Sequence, residues 1–429
     1  MRILFVAPYV PSLIRVRPFN FIKHLSEHHG VTLVALMHGD PAEADALQQM
    51  RQCCERVFAV PLSKVRSVMS CCGRLLTGMP LQAAYTYFPS VRELVSRIAK
   101  SHTFDVLHVE HIRGAHLAEG VKHIPRVFDS VDCITRLLKL RLVHQRGVLQ
   151  RAVGIEELVK MRSYEPRIAG TFDGITVTSK RDKRALETLM RRFTEPGAVT
   201  TKAGRDATVQ SDEFGTVGRD GNSRVSVVPN GVDSEYFRPM EARVERGSMA
   251  FVGRMSYFAN ASAAIRFCRE VFPRVKRQRP DATFKIIGSD PPEAVRKLGA
   301  DPAVEVTGYM PDIRRHLAAA EVVVCPLAVG VGVQNKVLEA MAMGKPVVGT
   351  SVAYKGIPDA IDRWHVIRAD DPTQIADSVL GLFNHPDYAL ELGERGRRLV
   401  EERYSWAAAV RQLEAVHTQA ADLHKGRIL

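Results

Sequence analysis

The residues with the clearest chemical pattern lie in the segment GVGVQNKVLEAMAMGKPVVGT, residues 330–350. Its first two glycines leave backbone N–H groups open to a phosphate, and a helix predicted to begin near Asn335 directs the positive end of its dipole to the same place. Lys336, in the first turn, can pair with a diphosphate. Glu339, one turn further on the same face, can accept hydrogen bonds from ribose hydroxyls. The segment predicts an anion site; the alternative is an ordinary helix with a glycine-containing entry loop.

Two other glycine motifs are excluded by their surroundings. Gly344 and Lys345 are followed by Pro346 rather than by Ser or Thr, and the upstream glycine of a P-loop is missing. The first apolar run is followed by Pro8 and Pro11, where a dehydrogenase fingerprint requires glycines. Neither a P-loop nor a nicotinamide site is expected.

The elements that must position these residues follow from short apolar runs that alternate with amphipathic stretches. Such runs are typical of parallel strands covered by helices on both faces. The first half contains RILFVAPYV, GVTLVALM, RVFAVPL, FDVLHVEH, RVFDSVD and FDGITVTS. The second half contains AFVGRM, ATFKIIG, VEVTGYM, AEVVVCPL, KPVVGT and HVIRADD. Helices are expected between them, including residues 17–29, 260–278, 311–320, 335–343 and 373–383.

The length of 429 residues fits two α/β domains, which implies a cleft. We expect an N-terminal domain over 1–225, in which the polar, glycine-containing stretch 191–224 is a mobile loop or linker. A second domain follows over 226–403, and a terminal helical segment over 404–429.

Composition narrows the class of protein. Hydrophobic residues make up 45% of the chain and charged residues 25%, as in soluble globular proteins. There is neither an apolar stretch of about 18 residues nor a cleavable leader, and the seven cysteines show no metal-ligand spacing. We therefore expect a reducing, cytoplasmic location. The net charge of +13 favours an anionic partner, but the signatures of nucleic-acid binding are missing, so nucleic acid is not expected.

Two basic stretches carry apolar residues at helical spacing. Residues 134–168 contain eight Lys or Arg against three Glu, and residues 64–78 repeat the pattern on a smaller scale. Such helices can lie on an anionic bilayer, which would place the chain on the inner face of the cell membrane. The alternative is a surface helix packed on its own sheet.

Five motifs, in order, resemble the retaining two-domain glycosyltransferases of the GT-B fold, in particular the GT4 group of glycosyltransferases family 1. They are VVPNGVD with Phe237 and Pro239, AFVGRM, VEVTGYM, the segment 330–350, and YSW. The resemblance implies an α/β fold of two Rossmann-like doubly wound parallel-sheet domains facing a cleft. It also implies that the C-terminal helix crosses back to the first domain.

The resemblance implies donor-binding roles in the second half. Glu339 matches the second glutamate of a paired-glutamate motif that binds the ribose, and Lys336 matches a lysine that contacts the diphosphate and serves catalysis. Gly253 and Arg254 match the phosphate loop. Further donor-binding positions are Tyr309 and Met310 for the base, and Gly332, Val333 and Gln334 for the sugar diphosphate.

Two positions depart from the family pattern. Val331 stands where the first glutamate of the pair is found, and Ala259 stands where a second basic residue is often found. We therefore expect a different contact to the sugar hydroxyls, with Lys336 carrying charge that relatives share between two groups.

In the first half, the family's strand ending in His-x-His reads His108, Val109, Glu110, His111. Side chains at the carboxyl ends of parallel strands meet ligands. Glu110 and His111 are therefore predicted as catalytic residues that orient the transferred sugar or the acceptor hydroxyl; the alternative is a structural role.

Three further residues are predicted to contact the diphosphate or the acceptor. Arg15 and Arg17 are predicted to lie in the loop after the first strand. They are predicted to contact the diphosphate because guanidinium groups fit phosphate geometry. Asp132, with Asp129, ends the strand that follows Glu110. For the two arginines the alternative is a solvated loop, and for the two aspartates it is a structural role.

The function implied is transfer of a hexose, with retention, from a UDP- or GDP-sugar to a glycan or polyprenyl-linked acceptor in cell-surface polysaccharide or exopolysaccharide synthesis. No cofactor or metal is expected, because no Asp-x-Asp follows a predicted strand. Two alternatives stay open: a sugar-nucleotide epimerase on the same fold, and a membrane-peripheral binding protein with a degenerate site.

Overall fold

A computed structural model describes residues 1–12, 14–144, 147–194, 223–330 and 332–428. The chain forms two compact units. Unit 1 comprises Met1–Val228 and Gln412–Leu429, and unit 2 comprises Pro229–Arg411. The predicted linker 191–224 lies mostly outside the described residues, but its first four residues are helical, so the linker was predicted to begin too early.

Unit 1 is built on a parallel sheet with the order β3-β2-β1-β4-β5-β6-β7. Its strands are β1 (Arg2–Ala7), β2 (Gly30–Met37), β3 (Arg56–Pro61), β4 (Val106–Glu110), β5 (Arg126–Val131), β6 (Gly174–Val177) and β7 (Val225–Val227). The central strands are buried along nearly their whole length, because helices cover both faces and leave no polar side. Every apolar run predicted as a strand in this half forms one, whereas the three-residue β7 was missed.

The helices of unit 1 follow the predicted alternation. They are α1 (Val16–Leu25), α2 (Glu43–Cys53), α3 (Lys64–Gly73), α4 (Leu81–Ala84), α5 (Pro89–Ser101), α6 (His111–Ala115) with a 3-10 turn His116–Ala118, α7 (Ile134–His144), α8 (Val148–Ala169) and α9 (Lys180–Thr194). The basic stretch 134–168 therefore forms two helices. Among the described residues, no helix is both long and apolar enough to cross a membrane.

Unit 2 contains a second parallel sheet with the order β10-β9-β8-β11-β12-β13. The strands are β8 (Glu245–Val252), β9 (Thr283–Ile287), β10 (Val304–Gly308), β11 (Ala320–Cys325), β12 (Val347–Gly349) and β13 (Ile367–Arg368). The helices are α10 (Phe258–Arg266), a π-helical turn Phe267–Val271, α11 (Phe272–Gln278), α12 (Glu293–Arg296) with a 3-10 turn Lys297–Ala300, α13 (Arg314–Ala319), α14 (Asn335–Ala342), α15 (Pro372–Asn384), α16 (Pro386–Arg403) and α17 (Trp406–Ile428).

Helix α17 starts in unit 2 and ends in unit 1. In unit 1 its buried face includes Leu413, His417 and Ala420. Nε2 of His417 lies 3.1 Å from Nδ1 of His108 on β4, and burial lowers the pKa of His108 to about 3. This neutral histidine pair joins the end of the chain to the sheet of unit 1.

The same strand order in both sheets determines where ligands can bind. The chain reverses its direction of travel across the sheet after β3 and again after β10, so β1 lies next to β4 and β8 next to β11. Loops leaving the carboxyl ends of such neighbouring strands diverge and open a crevice. In unit 1 the crevice is reached by Glu110 at the end of β4, and in unit 2 by the chain after β8 and by the loop leading to α14.

The predicted location of Arg17 was wrong. Arg17 lies in α1 rather than in the preceding loop, and it is 5% exposed. Its Nε donates to Oδ2 of Asp129 at 2.7 Å and its Nη2 donates to Oδ1 at 3.1 Å. The guanidinium is thus engaged in a buried bidentate ion pair that fastens α1 to β5, and we do not retain it as a diphosphate contact.

Replacing Arg17 by Ala is expected to lower the free energy of unfolding by about 3–5 kcal/mol, because Asp129 would be left charged and unpaired in the interior. Urea denaturation followed by circular dichroism measures the change. Arg92→Ala is the matched control in the same unit, because its ion pair with Glu119 is solvent-exposed and such pairs contribute about 1 kcal/mol or less. Equal, small losses in both variants would contradict the structural role given to Arg17.

Candidate functional site

Backbone and side chains come into unusually close contact where β8 ends in unit 2. Gly253 follows this strand, and a Cβ at this position would lie 2.7 Å from Nδ2 of Asn260 and 3.1 Å from Cε of Lys336. Both distances are shorter than normal van der Waals contact, so a side chain here would displace the side chains of Asn260 and Lys336. The glycine thus lets the backbone reach the lysine of the predicted anion site.

The ammonium group of Lys336 is held by neutral oxygens. In the first turn of α14, its Nζ donates to Oδ1 of Asn260 at 3.0 Å and to Oε1 of Gln334 at 3.4 Å. Asn260 is itself fixed, because its Nδ2 donates to the carbonyl of Arg254 at 2.8 Å. Within the described ranges, no carboxylate forms an ion pair with Lys336, so its positive charge is left for a ligand to neutralise.

The N-terminus of α14 adds to this positive field. The helix begins after Gln334, and no side chain caps its first turn. Gly332, in the loop before it, has a φ of +62°, a left-handed conformation that glycine adopts without strain. Free N–H groups and the helix dipole favour an anion beside Lys336.

Glu339 lies one turn after Lys336 on α14 and is half-buried. Its carboxylate has no hydrogen-bond partner among the residues that the structure describes. Burial raises the pKa of Glu339 to about 7, against the opposing effect of the positive charge of Lys336. The side chain can therefore accept hydrogen bonds from hydroxyl groups once it is ionised near neutral pH.

The other donor-binding residues predicted in unit 2 are less constrained. Arg254 is exposed, and its Nε lies 3.0 Å from Oγ of Ser256 and 3.4 Å from Oδ2 of Asp290. Tyr309 is 73% exposed directly after β10, and Met310 packs against the core. Val333 is buried beside α14. Val331, where the family pattern has a glutamate, lies outside the described residues.

Asn260 is the site residue that the sequence analysis missed. It is buried in α10 directly after Ala259, the position where a basic residue is often found in the family. Its amide connects the loop after β8 to Lys336 through two hydrogen bonds. The only local signal was an amide between Ala259 and Ala261 on a mostly apolar helix.

In unit 1, Glu110 ends β4 with 1% of its surface exposed. Oη of Tyr9, from the segment after β1, donates to its Oε1 at 2.7 Å, whereas no described residue forms a hydrogen bond with its Oε2. Burial raises the pKa of Glu110 to about 8, and the nearby charge of Asp129 adds to this effect. At neutral pH the carboxyl group is protonated and can donate a hydrogen bond. Tyr9 was not among the predicted site residues.

His111 follows Glu110 in a strained backbone conformation with a φ of +61°. Its Nδ1 accepts a hydrogen bond from the backbone N–H of Arg113 at 3.3 Å. Burial lowers the pKa of His111 to about 3, and Arg113 acts in the same direction. The imidazole is therefore neutral at physiological pH.

The two other predicted contacts of unit 1 lie in different surroundings. Arg15 is exposed and stacks on Tyr9, with 4.5 Å between its guanidinium carbon and the ring centre. Asp132 accepts a hydrogen bond from Oγ1 of Thr178 at 3.2 Å. Burial and the nearby Asp182 raise the pKa of Asp132 to about 6. Arg15 thus contacts the Tyr9–Glu110 pair, whereas Asp132 is bonded to the segment after β6.

Comparison with known proteins gives a family match within unit 2 and a similarity of fold over both units. Residues 246–385, within unit 2, match the family model described as Glycosyl transferases group 1. The MMP alpha-(1->4)-mannosyltransferase of Mycolicibacterium hassiacum is 29% identical over 211 residues, which are 46% of this chain and 49% of that protein. The N-acetyl-alpha-D-glucosaminyl L-malate synthase of Bacillus anthracis is 23% identical over 65% of this chain and 74% of its own length. The chain thus spans about half the length of the mannosyltransferase.

Solved structures extend the similarity of fold to both units. Anabaena Alr3699/HepE, solved in complex with UDP-glucose, is 13% identical and superposes with a TM-score of 0.64 over 97% of this chain and 98% of its own. The sucrose-phosphate synthase of Thermosynechococcus elongatus is 14% identical, with a TM-score of 0.64 over 98% of both chains. Residues 246–385 are thus similar to the group 1 glycosyltransferases, and the strand orders and superpositions show that the chain has the GT-B fold.

Proposed function

We propose that the chain transfers a hexose from a UDP- or GDP-sugar, and that unit 2 binds this donor. The observation that carries the proposal is the ammonium of Lys336, half-buried with neutral partners only, beside the uncapped N-terminus of α14. A diphosphate supplies the negative charge that this site lacks. The UDP-glucose bound to Alr3699/HepE and the GDP-mannose-dependent mannosyltransferase among the relatives support this class of donor.

Loss of the sugar from its donor builds negative charge on the leaving diphosphate, and stabilisation of that charge is the largest contribution expected. Lys336 and the N–H groups of α14 supply it from fixed positions. Arg254 is exposed and turns towards the outer phosphate oxygens by giving up its contacts with Ser256 and Asp290. In this proposal no metal takes part.

The remaining donor contacts follow from position. Glu339 accepts hydrogen bonds from the ribose hydroxyls, one helical turn from the diphosphate. Tyr309 and Met310 flank the base at the end of β10. Gly332, Val333 and Gln334 line the sugar diphosphate.

Unit 1 binds the acceptor in this proposal, a glycan or a polyprenyl-linked sugar. Glu110 is protonated at neutral pH, so its unpartnered Oε2 is suited to hydrogen-bond a sugar or acceptor oxygen and poorly suited to remove a proton. His111 is neutral and adjacent. These groups orient the reactants, and the anomeric configuration is retained.

The function is tested by offering UDP- and GDP-sugars in the presence of EDTA, with and without a lipid-linked acceptor. Product release is followed by chromatography, and proton NMR gives the anomeric configuration. An epimerised sugar nucleotide formed without acceptor would instead identify the alternative enzyme. Failure to bind any of these donors in calorimetry would contradict the proposal.

Lys336→Ala is expected to lower kcat by about 10²–10³, the usual effect of removing one group that stabilises developing negative charge. The matched control is Lys285→Ala on β9, where the lysine pairs with Glu305 and kcat is expected to stay within about twofold. Steady-state kinetics measures both variants. Unchanged turnover in folded Lys336→Ala would remove the central element of the donor site.

The affinity for UDP is expected to rise with pH through the pKa of Glu339. With a pKa of about 7, roughly a tenth of the carboxyl groups are ionised at pH 6 and about nine tenths at pH 8. If only the ionised form binds the ribose, the dissociation constant falls by up to about tenfold over this range. Calorimetry of Glu339→Gln separates this effect from titration of UDP itself. A pH dependence that is the same in both proteins would exclude Glu339 from ribose binding.

Glu110→Gln and Glu110→Ala are expected to separate orientation from proton removal. Gln can donate a hydrogen bond as the protonated acid does, so it should retain most of kcat at pH 7, whereas Ala should lose about 100-fold through misplacement. Wild-type kcat should fall as pH rises above about 8, where Glu110 ionises, and the Gln variant should not show this fall. Donor affinity serves as the control and should not change. Wild-type activity that rises through pH 8 would indicate a general base instead.

A further inference from the structure

Helix α3 of unit 1 has its polar and apolar sides reversed relative to an ordinary surface helix. Ser67 is its only buried residue. Val65, Val68 and Met69 lie one turn apart and are between 56% and 69% exposed. A helix that served only to cover its own sheet would bury this stripe. The apolar side of α3 therefore lacks a partner within the described part of the chain.

The exposed apolar surface continues into the turn after α3 and from there to α8. Leu75 and Leu76 are both exposed, Leu76 completely. Nζ of Lys160, on α8, donates to the carbonyl of Leu75 at 2.7 Å and to that of Arg74 at 3.4 Å. These hydrogen bonds hold the turn against the side of α8.

Helix α8 divides into two halves with different environments. Towards its C-terminus, Leu158, Met161, Tyr164 and Ile168 are buried in the core of unit 1. From its N-terminus to its middle, α8 also has five apolar residues that are 47–87% exposed: Val148, Leu149, Val153, Ile155 and Val159. The C-terminal half of α8 is therefore packed on its own sheet, whereas the apolar residues of the N-terminal half are exposed. We call the exposed apolar residues of α3, the following turn and α8 the α3–α8 surface.

The charge around this surface is strongly positive. Residues 64–78 contain three Lys or Arg and no Asp or Glu. On α8, Glu157 accepts from the backbone N–H groups of Leu81 and Gln82, and Glu165 from those of Ile134 and Thr135.

The third glutamate of this stretch, Glu156, is paired with Lys160. One of the three acidic groups is thus ion-paired, and the other two accept backbone hydrogen bonds within unit 1. The exposed Lys64, Arg66, Arg151 and Arg162 therefore keep their charge for an external partner.

We infer that the α3–α8 surface rests on an anionic lipid bilayer, with its apolar residues at the level of the acyl-chain boundary and its basic residues among the headgroups. Exposed apolar residues bordered by Lys and Arg on a helix that does not span the membrane are the features of interfacial binding. A second copy of the chain fits less well, because it would bring two basic surfaces together. The inference goes beyond the proposed transfer reaction and is tested without any donor.

The test is flotation of the full-length chain with vesicles of phosphatidylcholine alone and with vesicles containing about one third phosphatidylglycerol. We expect binding to the anionic vesicles only, and a loss of binding when the salt concentration is raised, because the basic residues lie within a Debye length of the headgroups. Equal binding to both kinds of vesicle, or binding to neither by folded protein, would overturn the inference.

Variants separate the apolar from the electrostatic contribution. Val68→Glu combined with Leu149→Glu should abolish flotation, and each of Lys64→Ala and Arg66→Ala should weaken binding roughly fivefold. Leu390→Glu on α16 is the matched control, because Leu390 is 61% exposed but lies in unit 2. All four residues of the test variants are exposed, so the melting temperature should not change. If the chain does not float but forms a dimer that these substitutions dissociate, the surface binds a second copy of the chain. That result would overturn the bilayer assignment.

Discussion

In the part of the chain that the structure describes, the half-buried ammonium of Lys336 donates hydrogen bonds to neutral oxygens only, and several residues of unit 2 are placed around this interaction. Removing a charge from water is costly unless hydrogen bonds or an opposite charge compensate for it. Asn260 and Gln334 provide the hydrogen bonds, but neither provides the charge. Glu339, one turn further along α14, interacts with the same positive charge, and an anion at the N-terminus of the helix would compensate for it more fully.

Several features of the chain serve this one interaction. Gly253 is needed because any side chain would displace Asn260 and the lysine stem. Asn260 can direct its oxygen to Lys336 because its nitrogen is engaged with the carbonyl of Arg254. The order of the strands brings β8 and β11 together, so that the loop after one and the helix after the other converge. A change at any of these positions acts through the placement of a single nitrogen atom.

Unit 1 has the same strand order as unit 2, and two carboxyl groups on its neighbouring strands β4 and β5 have different partners. Asp129 is paired with Arg17 and accepts a further hydrogen bond from Thr176 at 2.8 Å, so its role is structural. Glu110, on the adjacent strand, has Tyr9 as its hydrogen-bond partner among the described residues and keeps its proton at neutral pH. Two carboxyl groups on neighbouring strands thus differ in role because of their partners. The sequence analysis could place both at strand ends, because buried parallel strands are continuous apolar runs, but it could not assign the partners. Arg17 is 112 residues from Asp129 along the chain, and no local pattern reveals such a pair. Asn260 and β7 were missed for similar reasons, the first because its contacts are tertiary and the second because three residues show no periodicity.

The location of the exposed apolar surface bears on which acceptor is favoured. The α3–α8 surface and Glu110 both belong to unit 1. A bilayer that binds this surface therefore brings its headgroups to the unit that contains Glu110. A water-soluble glycan would gain nothing from this surface, since it reaches Glu110 from solution. An acceptor anchored by a polyprenyl chain is confined to the membrane, where binding of the enzyme to the same surface raises its effective concentration without any additional contact to the sugar. The unpartnered apolar side of α3 thus favours a lipid-linked acceptor over a free one.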